Sequence, residues 1–190
     1  MTERHLLPPF LPADTRVLML GSFPPPRARW KMDFYYPNFQ NDMWRIFGLV
    51  FFRDKDHFLT DTRDAFHEER LRSFLSAKGI ALSDTALEVR RLRGNASDKF
   101  LEIITPIDLE ATLRRLPLCT AVVTTGQKAT DTLLSLISAD APAVGDSTPF
   151  TLLDRPMRFY RMPSSSRAYP KPLPEKAAAY RRMFEELHLL

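Results

Sequence analysis

Three short, mainly apolar runs divide the chain, and each ends abruptly in small or polar residues. They cover residues 16–20, 80–82 and 121–126. Because their apolar positions are largely consecutive and do not alternate with polar ones, each run is typical of a strand buried on both faces of a parallel sheet. Residues 157–162 are predicted to form the last strand, so the pattern predicts four strands in all.

Between these runs, apolar residues recur at helical spacing. Residues 41–52 and 58–78 show this spacing, and the second segment stops at Gly79, a residue type that commonly follows a helix. The remaining segments are predicted as helices at 98–104, 109–116, from 127 onward and at 175–187, with a proline-rich, irregular lead-in at 1–15. Alternating strands and helices predict a three-layer α/β/α fold around a central, mainly parallel four-stranded sheet.

Length and composition narrow the class of protein. A chain of 190 residues can bury one sizeable core, which favours a single domain over residues 1–190. Its 44% hydrophobic and 26% charged residues are ordinary for a globular protein, and no apolar run approaches the length of a membrane span. The N-terminal residues lack the apolar core of a secretory signal. We therefore expect a soluble, cytoplasmic protein without a membrane partner.

Cysteine and histidine usage argues against a metal centre. The single Cys119 excludes an intramolecular disulfide, a cysteine-ligated iron–sulfur cluster and a four-cysteine zinc site, and its apolar neighbours predict a core position. His5, His57, His67 and His188 show no ligand spacing, and each is interpreted as a surface or boundary residue. The sequence implies no metal and no cofactor.

Basic residues accompany the candidate loops. The net charge is +4, a modest excess that assists binding to polyanions without establishing it. The basic residues form three groups, at positions 27, 29 and 31, at 90, 91 and 93, and at 161, 167 and 171. The middle group falls in sequence interpreted as a helix, where a solvated face is the simpler explanation.

Three polar or aromatic loops are placed to form one site. Gly-Ser-Phe-Pro-Pro at residues 21–25 follows the first strand, Met-Pro-Ser-Ser-Ser-Arg-Ala-Tyr at 162–169 follows the last, and Tyr-Tyr-Pro-Asn-Phe-Gln-Asn at 35–41 leads into a helix. Ligands of open α/β sheets bind outside the carboxyl ends of the strands. Aromatic rings, hydroxyls and arginines on such loops suit bases and phosphates.

At these segments the chain resembles the uracil-DNA glycosylase superfamily, specifically its mismatch-specific and hypoxanthine-DNA glycosylase-like branches. Residues 21–25 resemble the first motif of that superfamily, and residues 36–44 resemble its aromatic-Pro-x-Asn-x-x-Trp segment. Residues 80–89 are similar to the strand end that recognises the base, and residues 162–168 to the second motif. The segments occur in the family's order and span most of the chain.

The resemblance implies an enzyme that flips a damaged or mismatched nucleotide out of DNA and cleaves its N-glycosidic bond. It implies DNA as the partner, and we expect a monomer. Lyase chemistry would need a lysine at one of the motif positions, and none of them carries one. The expected enzyme is therefore monofunctional. Two positions depart from the best-characterised pattern, because Phe23 and Met162 stand where many relatives have Asp or Asn and His. Hypoxanthine-type relatives share Gly-Ser-Phe-Pro, which shifts the expectation away from uracil.

Two polar residues are the candidates for catalysis. Asn41 is placed to position water or substrate, with helix capping as an equally good structural explanation. Asp84 stands where relatives place the base-reading residue, and a helix cap is again the alternative. A carboxylate there only accepts hydrogen bonds, so it favours a base edge that presents N–H donors.

The remaining candidates are assigned by loop. Tyr35 and Tyr36 are candidates for the stacking ring, with a core or lid role as the alternative for one of them, whereas Trp44 is interpreted as core. The base-binding set is Ser22, Phe23, Tyr35, Tyr36 and Asn38; the DNA-binding set is Ser164, Ser165, Ser166, Arg167 and Tyr169; and Gly21, Pro24 and Pro25 shape the first loop. Two other functions remain open, a catalytically inactive superfamily member that binds DNA or a nucleotide, and a hydrolase of free nucleotides or nucleosides.

Overall fold

The computed structural model describes residues 1–93 and 97–190, whose strands form two β-sheets. In chain order, the strands are β1 (Thr2–Arg4), β2 (Val17–Gly21), β3 (Ile80–Asp84), β4 (Ala86–Arg91), β5 (Leu101–Pro106), β6 (Ala121–Thr125), β7 (Ser147–Leu152) and β8 (Arg155–Met162). The α-helices are α1 (Met43–Phe52), α2 (Glu68–Lys78), α3 (Leu109–Arg114), α4 (Gln127–Leu134) and α5 (Leu173–Glu186).

The central sheet has five strands in the order β3-β2-β6-β8-β7. The four predicted strands are present and parallel, whereas β7 is an additional antiparallel edge strand, so the prediction of four strands was wrong. A two-residue turn at Leu153 and Asp154 joins β7 to β8, with φ near +55° at both residues. Such turns are usually marked by Asn or Gly. Without that signal, the hairpin was not evident from the sequence.

Alternate residues of the buried strands face two separate cores. All residues of β2, β3 and β6 are buried, as the apolar runs predicted. Val17 and Met19 pack with α1, α2 and α5, whereas Leu18 and Leu20 pack with α3 and α4. Helices on both faces of the sheet give the three-layer arrangement. Because β2, β3, β6 and β8 are parallel, their carboxyl ends lie along one edge of the sheet.

A second sheet, of order β1-β4-β5, corrects three expectations. The segment at 98–104, predicted as a helix, is a short 3-10 turn at Asp98–Phe100 followed by β5. The irregular lead-in contains β1, and the middle basic group begins in β4 instead of a helix. All pairs in this sheet are antiparallel. The β-branched residues Ile103, Ile104 and Thr105 favour a strand over the short helix that was predicted.

Most of the predicted helices are present, and several of them are shorter than predicted. α1 begins two residues later than predicted, and α2 covers only the second half of the predicted segment. His67 caps α2 by accepting a hydrogen bond from the Arg70 amide at 3.3 Å. Trp44 and Cys119 are fully buried, which confirms the core positions predicted for them. None of the helices in the described residues is long and apolar enough to cross a membrane.

Candidate functional site

A cleft of about 860 Å³ opens at the carboxyl ends of the central strands. It is lined by the loop after β2, the loop before α1, the end of β3, the start of α4 and the loop after β8. Every residue of the sequence-predicted site lines it except Arg167. Its volume falls within the range of small-molecule sites and can hold a nucleotide-sized ligand.

Gly21 allows two functional groups to meet at the base of the cleft. It pairs with Asp84 in the parallel register of β2 and β3. A Cβ at position 21 would stand 2.5 Å from Oδ1 of Asp84 and 3.3 Å from the hydroxyl of Tyr36. Only glycine leaves room for this approach, so its absent side chain is a requirement of the site.

Asp84 forms a pair with His5 that sequence reasoning missed. Nε2 of His5 lies 2.7 Å from Oδ2 of Asp84, and both side chains are less than 9% exposed. The other ring nitrogen, Nδ1, lies 2.9 Å from the Leu7 carbonyl oxygen. His5 is a partly buried residue, as expected for a boundary position, but its imidazole is almost enclosed by this contact. The pairing joins residues 79 positions apart, and the sequence around His5 gives no signal of it.

The two tyrosines differ in how they meet the cleft. Tyr35 is buried in the core and donates its hydroxyl to the Pro8 carbonyl oxygen at 3.1 Å, which favours the core role for this ring. Tyr36 is partly buried, has φ of 53°, and exchanges a hydrogen bond with the Thr125 hydroxyl at 2.9 Å. Burial, with the nearby Asp84 carboxylate, raises the pKa of both phenols, so they act as neutral hydroxyls.

Asn41 and Asn38 both line the cleft, and the side chain of each accepts a hydrogen bond from a backbone amide. Oδ1 of Asn41 accepts a hydrogen bond from the Met43 amide at 2.9 Å, at the start of α1. Oδ1 of Asn38 accepts one from the Gln40 amide at 3.0 Å. The N-cap residue of α1 is Asp42, so Asn41 makes a local backbone contact just before the cap position. This contact leaves the side-chain NH₂ donors and a second lone pair of the oxygen for other partners.

Asp98 enters the cleft from the second sheet and was not among the predicted site residues. The Ser22 hydroxyl donates a hydrogen bond to Oδ2 of Asp98 at 2.5 Å. Burial raises the pKa of Asp98 and the charge of Asp84 adds to the rise, while the Ser22 hydrogen bond and the charges of Arg91 and Lys128 oppose it. Because its segment was interpreted as a helix, Asp98 was not placed near the first loop.

The first loop is held by two side chains on its outer side. Arg91 donates to the Pro24 carbonyl oxygen at 2.7 Å and pairs with Glu3 at 2.9 Å, and its side chain is only 8% exposed. Trp30 donates its indole N–H to the Pro25 carbonyl oxygen at 2.7 Å. The solvated-face interpretation was therefore wrong for Arg91, which fixes the position of the site loop.

The serine loop, residues 163–169 after β8, is held in place by hydrogen bonds to its backbone carbonyl oxygens. The Ser165 carbonyl oxygen accepts from the Asp42 amide at 3.0 Å, and the Ser166 carbonyl oxygen accepts from Nζ of Lys176 at 2.7 Å. Arg167 donates to Oδ1 of Asp42 at 3.1 Å and remains about half exposed, outside the cleft lining. These contacts fix the loop backbone while Ser164, Ser165, Ser166 and Tyr169 line the cleft.

Gly126 lies between the start of α4 and the serine loop. Gly126 has φ of 95°, and a Cβ there would lie 3.5 Å from the Cβ of Ser164. Gln127 and Lys128 follow it and line the cleft. Sequence reasoning placed the start of a helix near Gln127 but assigned neither residue to the site. A helix that starts at a strand end of an α/β sheet was a signal available for Lys128.

The cleft can therefore accept N–H donors at Asp84, position a polar group at Asn41, contact a ring at Tyr36 and bind an anion near the serine loop. Within residues 1–93 and 97–190, no three His, Cys, Asp or Glu side chains are grouped so that they could hold a metal ion. The groups that line the cleft supply hydrogen bonds, charge and carboxyl groups able to act as acid or base.

Comparison with known proteins shows the fold of the chain. No protein-family model matches it, and no curated protein matches it. It is similar to the solution NMR structure of a "putative Uracil DNA glycosylase" from Methanosarcina acetivorans, with a TM-score of 0.63 and 23% sequence identity. The match covers 96% of this chain and 99% of the other. At this identity the likeness shows a shared fold.

Proposed function

We propose that this protein is a monofunctional DNA glycosylase, which hydrolyses the N-glycosidic bond of a modified or mismatched base flipped out of DNA. The observation that carries the proposal is the convergence of Asp84, Tyr36 and Asn41 on one cleft whose other wall is the serine loop. These groups provide the contacts that an extruded nucleotide needs at its base, its sugar and its phosphate. The shared fold of the chain with the Methanosarcina protein supports it.

Base recognition is assigned to Asp84 and Tyr36. His5 and the register of β3 fix the carboxylate at the base of the cleft, where it accepts N–H donors from the edge of a base. Tyr36 supplies a neighbouring aromatic ring whose position is set by the Thr125 hydrogen bond and by edge contact with Trp44. The ring contributes stacking without base specificity.

Hydrolysis is assigned to Asn41. Breaking the bond between C1′ and the base develops positive charge on the sugar and negative charge on the base, and water must reach C1′. Phe23 cannot position that water by hydrogen bonding, and Met162 is buried in the core, where it cannot contact the base. Asn41 lines the cleft, and the hydrogen bond from the Met43 amide to its Oδ1 at the start of α1 fixes the direction of its side chain.

Phosphate binding is assigned to the serine loop and to Lys128. Hydroxyls and backbone amides of Ser164, Ser165 and Ser166 suit phosphate oxygens, and Lys128 adds a cation on the same side of the cleft. The contacts of this loop with Asp42 and Lys176 reduce the conformational freedom that would be lost when DNA binds.

Single-turnover assays with lesion oligonucleotides test the proposal. Duplexes carrying uracil, hypoxanthine, xanthine or a mismatch are incubated with excess protein and then cleaved at abasic sites with alkali. We expect excision of at least one base, reduced by about 10²-fold or more in Asn41→Ala and Asp84→Ala while DNA binding changes little. Gln40→Ala is the matched amide control, because Gln40 is exposed and lies outside the cleft lining.

A second candidate function is favoured by one observation, the presence of Phe23 and Met162 at positions where relatives carry polar groups. An inactive protein would bind lesion DNA or a nucleotide through the same cleft without excision. Binding of the duplexes without an abasic product, at any of the lesions, would select this function. Release of a base from free nucleotides but not from DNA would instead indicate a nucleotide hydrolase.

A further inference from the structure

Three aspartates line the cleft, Asp84, Asp98 and the exposed Asp131, and the proposed function uses only Asp84. Asp84 is paired with His5 at the end of β3, whereas Asp98 lines the cleft from the 3-10 turn that precedes β5. The hydroxyl of Ser22, a residue of the first loop, holds Oδ2 of Asp98 at 2.5 Å. The contact fixes Asp98 beside the loop that is proposed to meet the base.

The surroundings of Asp98 favour its protonated form. Burial is the largest cause of its raised pKa, and the carboxylate of Asp84 raises the pKa further because two negative charges in one cleft repel each other. The charged and titratable groups that act on Asp98 from the elements around it are Asp84, Arg91, Lys128 and Tyr36. Their opposing signs leave the pKa raised, so the carboxyl keeps its proton to a higher pH than an exposed aspartate does.

We propose that Asp98 is a catalytic acid, which donates its proton to a ring nitrogen of the departing base from the position fixed by Ser22. The inference rests on the proposed glycosylase function and adds a residue to it. A neutral base leaves more readily than an anion, and the donor meets a need that neither Phe23 nor the buried Met162 can meet.

The step balances without a further reactant. The bond between C1′ and the glycosidic nitrogen breaks, and its electron pair stays with the base. The Asp98 carboxyl transfers its proton to another ring nitrogen of that base, which leaves neutral. The water positioned by Asn41 bonds through its oxygen to C1′ and releases one proton to solvent, and Asp98 regains a proton from solvent before the next turnover.

The pH dependence of excision tests this role in a way that a structural role would not mimic. Excision by the wild-type protein should fall as pH rises through the raised pKa of Asp98, because the acid form is lost there. Asp98→Asn should lower the single-turnover rate by about 10²-fold or more and remove this alkaline fall. Ser22→Ala should shift the fall to higher pH, since the Ser22 hydrogen bond lowers the pKa of Asp98.

Binding and control measurements separate the possible failures. Affinity for a duplex with a 2′-fluoro lesion nucleotide, which resists cleavage, should change little in Asp98→Asn, and Asp140→Asn should match the wild type because Asp140 is exposed and outside the cleft lining. Excision by the wild type together with an unchanged rate and pH profile in Asp98→Asn would overturn the catalytic-acid role alone. A wild type that binds every lesion and excises none would overturn both proposals.

Discussion

Asp84 and Asp98 line the same cleft and have the same chemistry but different neighbours. Asp84 belongs to the central sheet and has an imidazole partner at 2.7 Å, while Asp98 lies in the turn before the edge strand β5 of the small antiparallel sheet and has a hydroxyl partner at 2.5 Å. Burial and the charge of Asp84 raise the pKa of Asp98, so its carboxyl can hold a proton. Pairs of titratable groups in contrasting environments commonly divide the acceptor and donor roles of a site.

The largest expected effect comes from removing the space that Asp84 occupies. In Gly21→Ala the new Cβ displaces the Asp84 carboxylate and the Tyr36 hydroxyl, so single-turnover excision should fall by about 10²-fold or more. The free energy of unfolding should change by only ~1–3 kcal/mol, because the displaced carboxylate is the end of a side chain.

Gly145→Ala is the matched control for that prediction. Its φ of +92° makes alanine strained, but a Cβ there meets only the guanidinium of Arg182, at 3.5 Å. It should lower stability and leave excision unchanged. Equal rates for Gly21→Ala and the wild type would show that the close approach of Asp84 and Tyr36 is not needed for excision.

Removing the imidazole tests the difference between the two carboxylates directly. In His5→Ala, Asp84 stays buried and loses its partner, which should cost ~1–3 kcal/mol in the free energy of unfolding and about tenfold in excision. Denaturant titration and single-turnover rates measure the two effects. His57→Ala is the control, because His57 stacks on Phe52 away from the cleft lining. A stability loss without a rate change would limit His5 to a structural role.

Replacing Lys128 should have a smaller effect than replacing His5. It tests both the phosphate contact and the influence of Lys128 on the pKa of Asp98. Lys128→Gln should weaken duplex binding a few-fold and reduce the slope of log K against log salt by about one, because one phosphate contact is lost. It should also move the alkaline fall in excision to higher pH, since the charge of Lys128 lowers the pKa of Asp98. Lys55→Gln, an exposed residue outside the cleft lining, serves as the control, and an identical salt slope in both variants would remove Lys128 from the phosphate contacts.

The smallest expected effect is on thermal stability in Asp98→Asn. Because the folded-state pKa of Asp98 is raised above its ordinary 3.8, its contribution to stability is present below that value and is lost as pH rises through the folded pKa. The asparagine variant should therefore melt slightly higher than the wild type at pH 8, and this gain should disappear near pH 4. A gain that is the same at both pH values would contradict the raised pKa.

The sequence predicts the central sheet better than its surroundings, for physical reasons. Strands buried on both faces are mainly apolar, so β2 and β6 were visible as runs and β3 in its apolar part. β4, β5 and β7 are edge or half-exposed strands with mixed polarity, and β7 reverses through a turn without Asn or Gly. Such strands are specified by their partners in the fold, which local periodicity does not reveal.

The candidate site shows the same limit. Residues on the three loops could be predicted to converge because parallel strands end at one edge. The contacts of Asp84 with His5 and of Asp98 with Ser22 join positions 79 and 76 residues apart. They depend on how the small sheet packs beside the large one. Neither the spacing nor the composition of the chain contains that information.

The pairing of Gly21 with Asp84 makes strand alignment a determinant of chemistry. Because side chains alternate between the two faces of a sheet, a shift of one residue between β2 and β3 would bring Ser83 or Thr85 beside Gly21 and turn the carboxylate toward the opposite layer. Insertion or deletion of a single residue within β3 would therefore remove the Asp84 carboxylate from the cleft even if the fold were unchanged. Mutational tolerance at this strand should accordingly be high for apolar exchanges and very low for changes in length.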